Sequence, residues 1–421
     1  MSALGAYRAL TGVLELAALP WESAARIAGG DRAGRFGYGD AHGSTWVHAA
    51  SLGEVRAAAP LVRALGSHRP GEDRTVSAGT RSGLAAWRRE LERRPPGEAP
   101  VSVLAWPLDF PQATRRAFTA RAPRRLLVVE TELWPNALHA AFERGVRVAF
   151  VNARLSEKRW PRTRLLAPVL RPLLVRVSAV AAQTEDDRAR WAELGVPRDA
   201  LAVTGNTKYD QATPAPDAAL RADARVRLGV PADALLWTWG SLRAGEERAL
   251  ADAARLAARA TIVVAPRHPE KAPGQRATLT RLGARLADWA PGEAWPAGGG
   301  IVWAPHLGIL RDLWEASDVA MVGGTFAPYG GHSVAEPAAR GVPVVVGPHH
   351  ANARDVVEAL VARGAGAVAR DGKGAAEAFA RWTADAAALE GARAAARAAV
   401  ADLSGACART IGFLEARGFW G

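Results

Sequence analysis

Apolar residues along this chain fall into two alternating patterns. Short runs rich in Val, Leu and Ala predict strands at Thr45–Ala49, Leu126–Val129, Val146–Val151, Val177–Ala182 and Leu201–Thr204. Between them lie Ala- and Arg-rich stretches with helical spacing, such as Val55–Leu65 and Glu185–Leu194. Strands alternating with helices of this length predict βαβ units and a parallel sheet. The pattern breaks at Asp210–Asp217, which holds two prolines and no apolar period and reads as a linker. A second series follows at Leu235–Trp239, Thr261–Ala265, Gly300–Trp303, Val319–Val322 and Val342–Val346. The fold class is therefore α/β, with doubly wound domains at 1–212 and 218–404. A last helix over 405–421, after the Ala-rich stretch Ala375–Val400, is expected to cross back onto the first domain. In such pairs the ligand is expected at the carboxyl ends of the strands, in the cleft between the domains.

The N-terminus adds one more pattern. Ala9–Pro20 is apolar but short and is interrupted by Glu15. It lacks the roughly 18 apolar residues of a spanning helix and the form of a signal peptide. Two readings stand: a short amphipathic helix lying on a surface, or a terminal helix packed on its own domain.

Composition changes this picture in three ways. Apolar residues at 49% and charged residues at 23% exclude wholesale disorder. The single cysteine, Cys407, excludes an internal disulfide framework and any Cys-based zinc site. The 54 Lys+Arg against 42 Asp+Glu leave +12, which predicts an anionic partner: nucleic acid, an anionic membrane surface or a phosphorylated substrate. Of the aromatics, 15 are Trp, a residue suited to half-wet positions, although most are expected in the core or scattered on the surface.

The excess charge is concentrated. Arg154–Arg176 holds seven Lys/Arg against one Glu, and so carries half of the +12. Trp160, Leu165-Leu166 and Leu173-Leu174-Val175 sit between the charges. The segment reads either as a surface for anionic lipid headgroups or as an Arg-rich helix that buries its leucines.

Candidate chemistry gathers where strands end. After Val319–Val322 comes Gly323–Pro337, in which Gly330 and Gly331 leave bare backbone for a phosphate at a helix N-terminus. His332 is a donor to phosphate, Ser333 an N-cap of a helix Ser333–Arg340, and Glu336 a partner for a ribose diol. The bland alternative is a glycine loop with a Ser333–Glu336 capping box. Arg267 and His268 end the strand Thr261–Ala265, where cations suit a nucleotide phosphate, and Ser241 ends another strand ahead of a helix. In the first half, Glu54 follows the strand Thr45–Ala49 at the start of a helix, as a general base or as a first-turn carboxylate serving the helix dipole. Glu130 and Glu132 follow the strand Leu126–Val129. Two acidic loops with a phosphate-binding domain suggest group transfer from a nucleotide.

These loops carry a resemblance that runs from end to end. Tyr7–Thr11, Trp46–Glu54, Glu130–Asn136, Asn152–Glu157, Gly205–Lys208, Pro266–Pro269, Gly323–Thr325 and Gly330–Pro337 stand in the order and spacing of one family. The chain resembles the 3-deoxy-D-manno-octulosonic acid (Kdo) transferases of lipopolysaccharide biosynthesis, glycosyltransferase family 30. That resemblance implies the GT-B frame of two Rossmann-like domains, cytidine 5′-monophosphate-activated Kdo (CMP-Kdo) as donor, and a tetraacylated disaccharide bisphosphate, the lipid A precursor, as acceptor.

By the same resemblance Glu54 is the general base on the acceptor hydroxyl and Glu130 the second essential acidic residue. Lys208, Ser241, Arg267, His268, Gly308-Ile309-Leu310, Gly330, Gly331, His332, Ser333 and Glu336 fall to the CMP moiety. Ser51, Gly53, Arg56, Glu132 and Arg154 fall to the acceptor. Direct attack opposite CMP implies inversion at the anomeric carbon. Cationic and backbone donors neutralising the phosphate imply no metal and no other cofactor. Peripheral or monotopic attachment to the anionic cytoplasmic face of the inner membrane is implied, and nucleic acid is not.

The chain departs from the family at Ser333, where Asn is usual, and at Gly308-Ile309-Leu310, where many members carry Gly-Glu-Leu. The alternatives are a GT-B enzyme on another sugar nucleotide (a UDP-sugar transferase or an epimerase) and a non-enzymatic basic protein binding RNA or membrane.

Overall fold

The computed structural model describes residues 2–39, 43–92, 94, 98–210, 218–257, 260–296 and 300–421. They divide into two compact units, one of residues 1–211 with 404–421 and one of residues 212–403. The linker expected at 210–217 lies outside the described residues except for Asp210.

The first unit is built on β1 (Thr45–His48), β2 (Arg74–Ala78), β3 (Val101–Ala105), β4 (Arg125–Val129), β5 (Arg147–Ala153), β6 (Ala179–Ala182) and β7 (Leu201–Val203). All pair in parallel, in the order β3-β2-β1-β4-β5-β6-β7. The second unit repeats the plan with β8 (Leu235–Leu242), β9 (Ala260–Pro266), β10 (Leu286–Asp288), β11 (Gly300–Trp303), β12 (Val319–Val322), β13 (Val344–Val346) and β14 (Gly366–Val368). Its order is β10-β11-β9-β8-β12-β13-β14. Strand order reverses between β1 and β4 in one sheet and between β8 and β12 in the other. In doubly wound sheets such a switch point opens a crevice at the carboxyl ends of the strands.

The apolar runs predict the central strands well, because both faces of a parallel sheet are covered by helices. Four strands escape the pattern. Strand β2 (Arg-Thr-Val-Ser-Ala) is wholly buried despite its polar residues. Arg74 Nη1 donates to the carbonyls of Leu65 and Arg69 (both 3.1 Å), and Ser77 Oγ takes the indole N–H of Trp46 (2.8 Å). Strand β3 ends in Leu104 and Ala105 but opens half-buried, and β10 and β14 are three-residue edges. Expected strands also shorten where backbone donors are engaged elsewhere or missing. The Val177 N–H still closes the preceding helix on the Leu174 carbonyl (3.2 Å), and Pro343 has no N–H to give.

Tryptophans fill the cores: Trp46, Trp87, Trp191, Trp237, Trp239, Trp289, Trp303 and Trp314 are among the largest fully buried side chains. Each such ring removes a large apolar area from water, worth roughly 25 cal/mol per Å².

The N-terminal helix Ala3–Ala17 packs on its own domain, as one of the two readings of its sequence expects. Its polar stripe is the packed one. Thr11 and Glu15 are buried, and Glu15 accepts the N–H groups of Gln112 (2.8 Å) and Ala113 (2.7 Å) at the start of the helix Pro111–Arg121. Leu10, Val13, Leu14 and Leu16 are exposed, as are Trp21 and Ile27 in the next helix. The helix packs beside Ala167–Leu174, within the basic segment. There Leu173 and Leu174 are core residues, which corrects the reading of that run as lipid-facing; Leu165, Leu166 and Val175 stay exposed. Among the described residues no helix is long and apolar enough to cross a membrane.

The final helix, Ala406–Ala416, belongs to the first unit and packs on the helix Leu52–His68. Asp210 caps its start, accepting from Gly405 (2.6 Å), Ala406 (3.2 Å) and Cys407.

Candidate functional site

The carboxyl edge of the first sheet gathers three carboxylates. Helix Leu52–His68 starts directly after β1, with Ser51 as its N-cap. Glu54 folds back over that helix start. Its Oε2 accepts the Ala50 N–H (2.7 Å) and its Oε1 the Ser51 hydroxyl (3.0 Å), while the Glu54 N–H reaches Ser51 Oγ (3.4 Å). The first-turn reading is therefore correct in geometry. It does not keep the carboxyl acidic. Burial, then the nearby Glu132 charge, push Glu54 up to about 7 against the Ala50 N–H, with Glu130 adding to the rise. A base with that affinity is half ionised at neutral pH and takes a hydroxyl proton more readily than an ordinary carboxylate.

Glu130 follows β4 with a left-handed backbone, φ +60°, a conformation that costs a residue with a Cβ about 1–2 kcal/mol. Its N–H bonds the Val151 carbonyl (3.1 Å), and its Oε1 lies 3.4 Å from Lys208 Nζ. The loop is tied further by the Thr131 hydroxyl on the Arg154 carbonyl. Glu132 Oε2 accepts from Trp134 Nε1 (2.7 Å) and lies 3.9 Å from His48 Nε2. Burial works against its charge, but His48 and Trp134 outweigh it and hold Glu132 below the usual carboxylate range. Ser51, Glu54, Glu130 and Glu132 thus come together, with Lys208 added. Gly53 and Arg56 are exposed on the first turn beside them. Lys208, assigned above to the donor, belongs to the first unit, on the turn Thr207–Asp210.

The equivalent edge of the second sheet is cationic. Strand β8 ends through Ser241, nearly buried and with φ +59°. A Cβ on Gly323 after β12 would lie 2.2 Å from the Ser241 carbonyl oxygen, so only glycine lets the two strand ends meet. Glu246, fully buried, locks both loops by accepting from Arg243 N (2.8 Å), Thr325 N and Phe326 N (both 2.9 Å). Arg243 stacks over Tyr329 (4.1 Å) and donates to His268 Nε2 (2.9 Å), whose Nδ1–H then faces Glu270 (3.0 Å). Burial, then Arg267, Arg243 and His268, push His332 down to about 4. It is neutral, and its buried Nε2 has no hydrogen-bond partner among the described residues. Arg243, Arg267, His268 and His332 therefore share one field, suited to an anion.

Four expectations change here. The helix begins at Ala335, with Val334 in the cap position and no side-chain cap, so Ser333 is not an N-cap and the Ser333–Glu336 capping box is not formed. Both side chains are exposed and free of that pairing. The Gly331 N–H is not bare, because it bonds the Gly324 carbonyl (2.8 Å). Gly330 is pinned through its carbonyl to Asn352 N (2.9 Å). Ile309 is buried and Leu310, half-buried, packs against the same core, while Gly308 is exposed.

Sequence reasoning passed over His48, Arg243, Glu246 and Asn352. His48 lies inside the segment Trp46–Glu54 already singled out, and Arg243 and Glu246 follow closely on Ser241. Their importance comes from partners distant in sequence.

The sequence profile described as "3-Deoxy-D-manno-octulosonic-acid transferase (kdotransferase)" matches residues 30–211. The chain is 36% identical to a 3-deoxy-D-manno-octulosonic acid transferase of Bordetella pertussis, over 88% of this chain and 86% of that one. It is 32% identical to one of Haemophilus influenzae, over 75% of this chain and 73% of that one. Among solved structures it is similar to a UDP-GlcNAc 2-epimerase from Neisseria meningitidis (15% identity, 88% of this chain and 99% of that one, TM-score 0.56). A glycosyltransferase from Rickettsia africae is also similar (12% identity, 88% and 98%, TM-score 0.58). At such identities the structural likeness is one of fold, the α/β GT-B fold.

Proposed function

The chain belongs to the Kdo transferase family, and from that premise we propose that it transfers Kdo from CMP-Kdo to a hydroxyl of the lipid A precursor, inverting the anomeric centre. One observation carries the reading: a carboxylate at the switch point of the first sheet, Glu54, whose proton affinity is raised to about 7. In this reading Glu54 takes the proton of the attacking primary hydroxyl as the acceptor oxygen bonds the anomeric carbon. The bond from that carbon to the phosphate oxygen breaks, and CMP departs with the bonding pair. General-base help of this kind is worth about 10²–10⁴ in rate. Glu130, steadied by Lys208, faces positive charge developing on the sugar. Arg243, Arg267, His268 and His332 receive the negative charge of the leaving phosphate, and no metal takes part.

The acceptor is lipid-borne in this reading. The exposed leucines of the first helix, Trp21 and the neighbouring arginines of 154–176 support peripheral attachment at the anionic cytoplasmic face of the inner membrane. Mass spectrometry of the product from a synthetic tetraacylated acceptor and a CMP-Kdo-generating system tests donor, acceptor and number of additions together. Turnover of UDP-N-acetylglucosamine alone would overturn the proposal.

A further inference from the structure

Beneath the acidic loops lies a histidine that this chemistry does not use. His48 ends β1, is completely buried, and stacks on Trp106 with ring centroids 3.8 Å apart and planes 14° apart. Its Nδ1 lies 3.1 Å from Ser77 Oγ. Among the described residues its Nε2 has no hydrogen-bond partner, and it faces Glu132 Oε2 at 3.9 Å. Burial lowers its proton affinity, so the ring is neutral and carries a single N–H.

Which nitrogen holds that proton follows from the neighbours. An indole N–H only donates, so Trp46 Nε1, 2.8 Å from Ser77 Oγ, makes that oxygen an acceptor. The Ser77 hydroxyl proton then finds its acceptor in His48 Nδ1. The Ser77 carbonyl, also beside the ring, already accepts the Ala49 N–H (3.0 Å) and Trp87 Nε1–H (3.2 Å), which fill its two lone pairs. His48 therefore accepts at Nδ1 and carries its proton on Nε2, aimed at Glu132. At 3.9 Å that N–H acts as an oriented dipole rather than a hydrogen bond. Trp134 Nε1–H is aimed at the same oxygen.

We propose that His48 and Glu132 are positioning residues for Glu54: a one-way relay from Trp46 through Ser77 fixes the His48 tautomer, and His48 keeps Glu132 anionic beside the base. Two neighbouring carboxylates thereby take opposite states, one fixed as an anion and one poised to accept a proton. The surrounding charges act in the same frame. Arg35 opposes protonation of His48, Arg159 favours the Glu132 anion, and Glu130, itself paired with Lys208, adds to the repulsion felt by Glu54.

The inference rests on Glu54 as base, and the test separates the two. The pH–rate profile of the full chain is measured for the wild type and for Glu132→Gln, with Glu54→Ala alongside. The acid limb of Glu132→Gln is expected about one unit lower, because the anion that raises Glu54 is gone. An unmoved limb, with Glu54→Ala inactive, overturns this inference and leaves the base intact. An active Glu54→Ala removes the base and the inference with it.

A second readout needs no activity. Long-range proton–nitrogen spectra of the labelled protein, with His48→Gln for assignment, are expected to show His48 protonated on Nε2 at neutral pH. In Ser77→Ala they are expected to show a tautomer mixture. A wild-type ring protonated on Nδ1 overturns the relay.

Discussion

Glu54 and Glu246 make an instructive pair. Each stands near the carboxyl end of the strand that borders a switch point, β1 in one sheet and β8 in the other. Burial raises the proton affinity of both. They differ in what their oxygens hold. Glu246 accepts from backbone N–H groups of two separate loops and has no exposed surface. Among the described residues Glu54 bonds only its own helix start; it stays partly open and has other carboxylates for neighbours. The same side chain at the same place in a repeated fold is thus a structural bolt in one unit and a candidate base in the other. Position in the fold nominates a carboxylate; its hydrogen-bond partners decide its role.

The largest expected effect breaks the pair on the Glu54 side. Glu54→Gln should lower the transfer rate about a thousandfold, within the range of general-base catalysis, and leave the melting temperature within a few degrees. Lipid-vesicle binding should be unchanged. For the wild type, transfer should rise with pH as Glu54 ionises, with half-maximal rate near pH 7 and about a tenfold fall for each unit below.

Breaking the other side moves different observables. Glu246→Ala leaves the N–H groups of Arg243, Thr325 and Phe326 without their acceptor, a loss of about 3 kcal/mol in chemical denaturation. Calorimetry should find nucleotide binding lost as the loops after β8 and β12 loosen.

A third carboxylate sharpens the contrast from the opposite edge of the first sheet. Burial works against the charge of Glu72, yet hydrogen bonds from Thr45, Arg69 and Ser44 and the charge of Arg125 outweigh it and bring its pKa down to about 2. A depressed carboxylate stabilises the fold above its ordinary titration range, and that stability fades as pH falls toward 2. Glu72→Gln should therefore cost about 2 kcal/mol in urea melts at pH 7, and nothing at the acid end of that window. The smallest effect is expected for Ser333→Asn, an exposed change to the residue usual in the family. Stability should not move, and donor affinity should rise by tenfold or less, one added hydrogen bond.

Much of this was legible in the sequence, for identifiable reasons. Continuous apolar runs mark strands covered on both faces, and an acidic or cationic residue just past such a run marks the edge where the candidate site lies. Arg74 and Ser77 hid β2, because polar residues in a strand look solvent-facing until their tertiary acceptors are known. Glu15 looked like an interruption of an apolar helix; it is the anchor of that helix, since periodicity defines a face and not which face turns inward. His48 and Glu246 act through groups tens of residues away, and Ser333 misses its cap because the cap position falls one residue later, on Val334.

The hydrogen bonds of Asp210 to Gly405 and Ala406 span 195 and 196 positions of sequence. In folding terms the second unit is an insertion whose two ends are stitched together on the first. Closing so long a loop is entropically costly for an unfolded chain and far less so once the inserted unit has folded and its ends are held. The first unit also needs Ile411, Leu414 and Phe419 to complete its own core. A ribosome therefore delivers the last piece of the first unit only after the whole of the second. The unit that carries Glu54 should reach its native state late in biosynthesis, behind a unit that begins two hundred residues downstream.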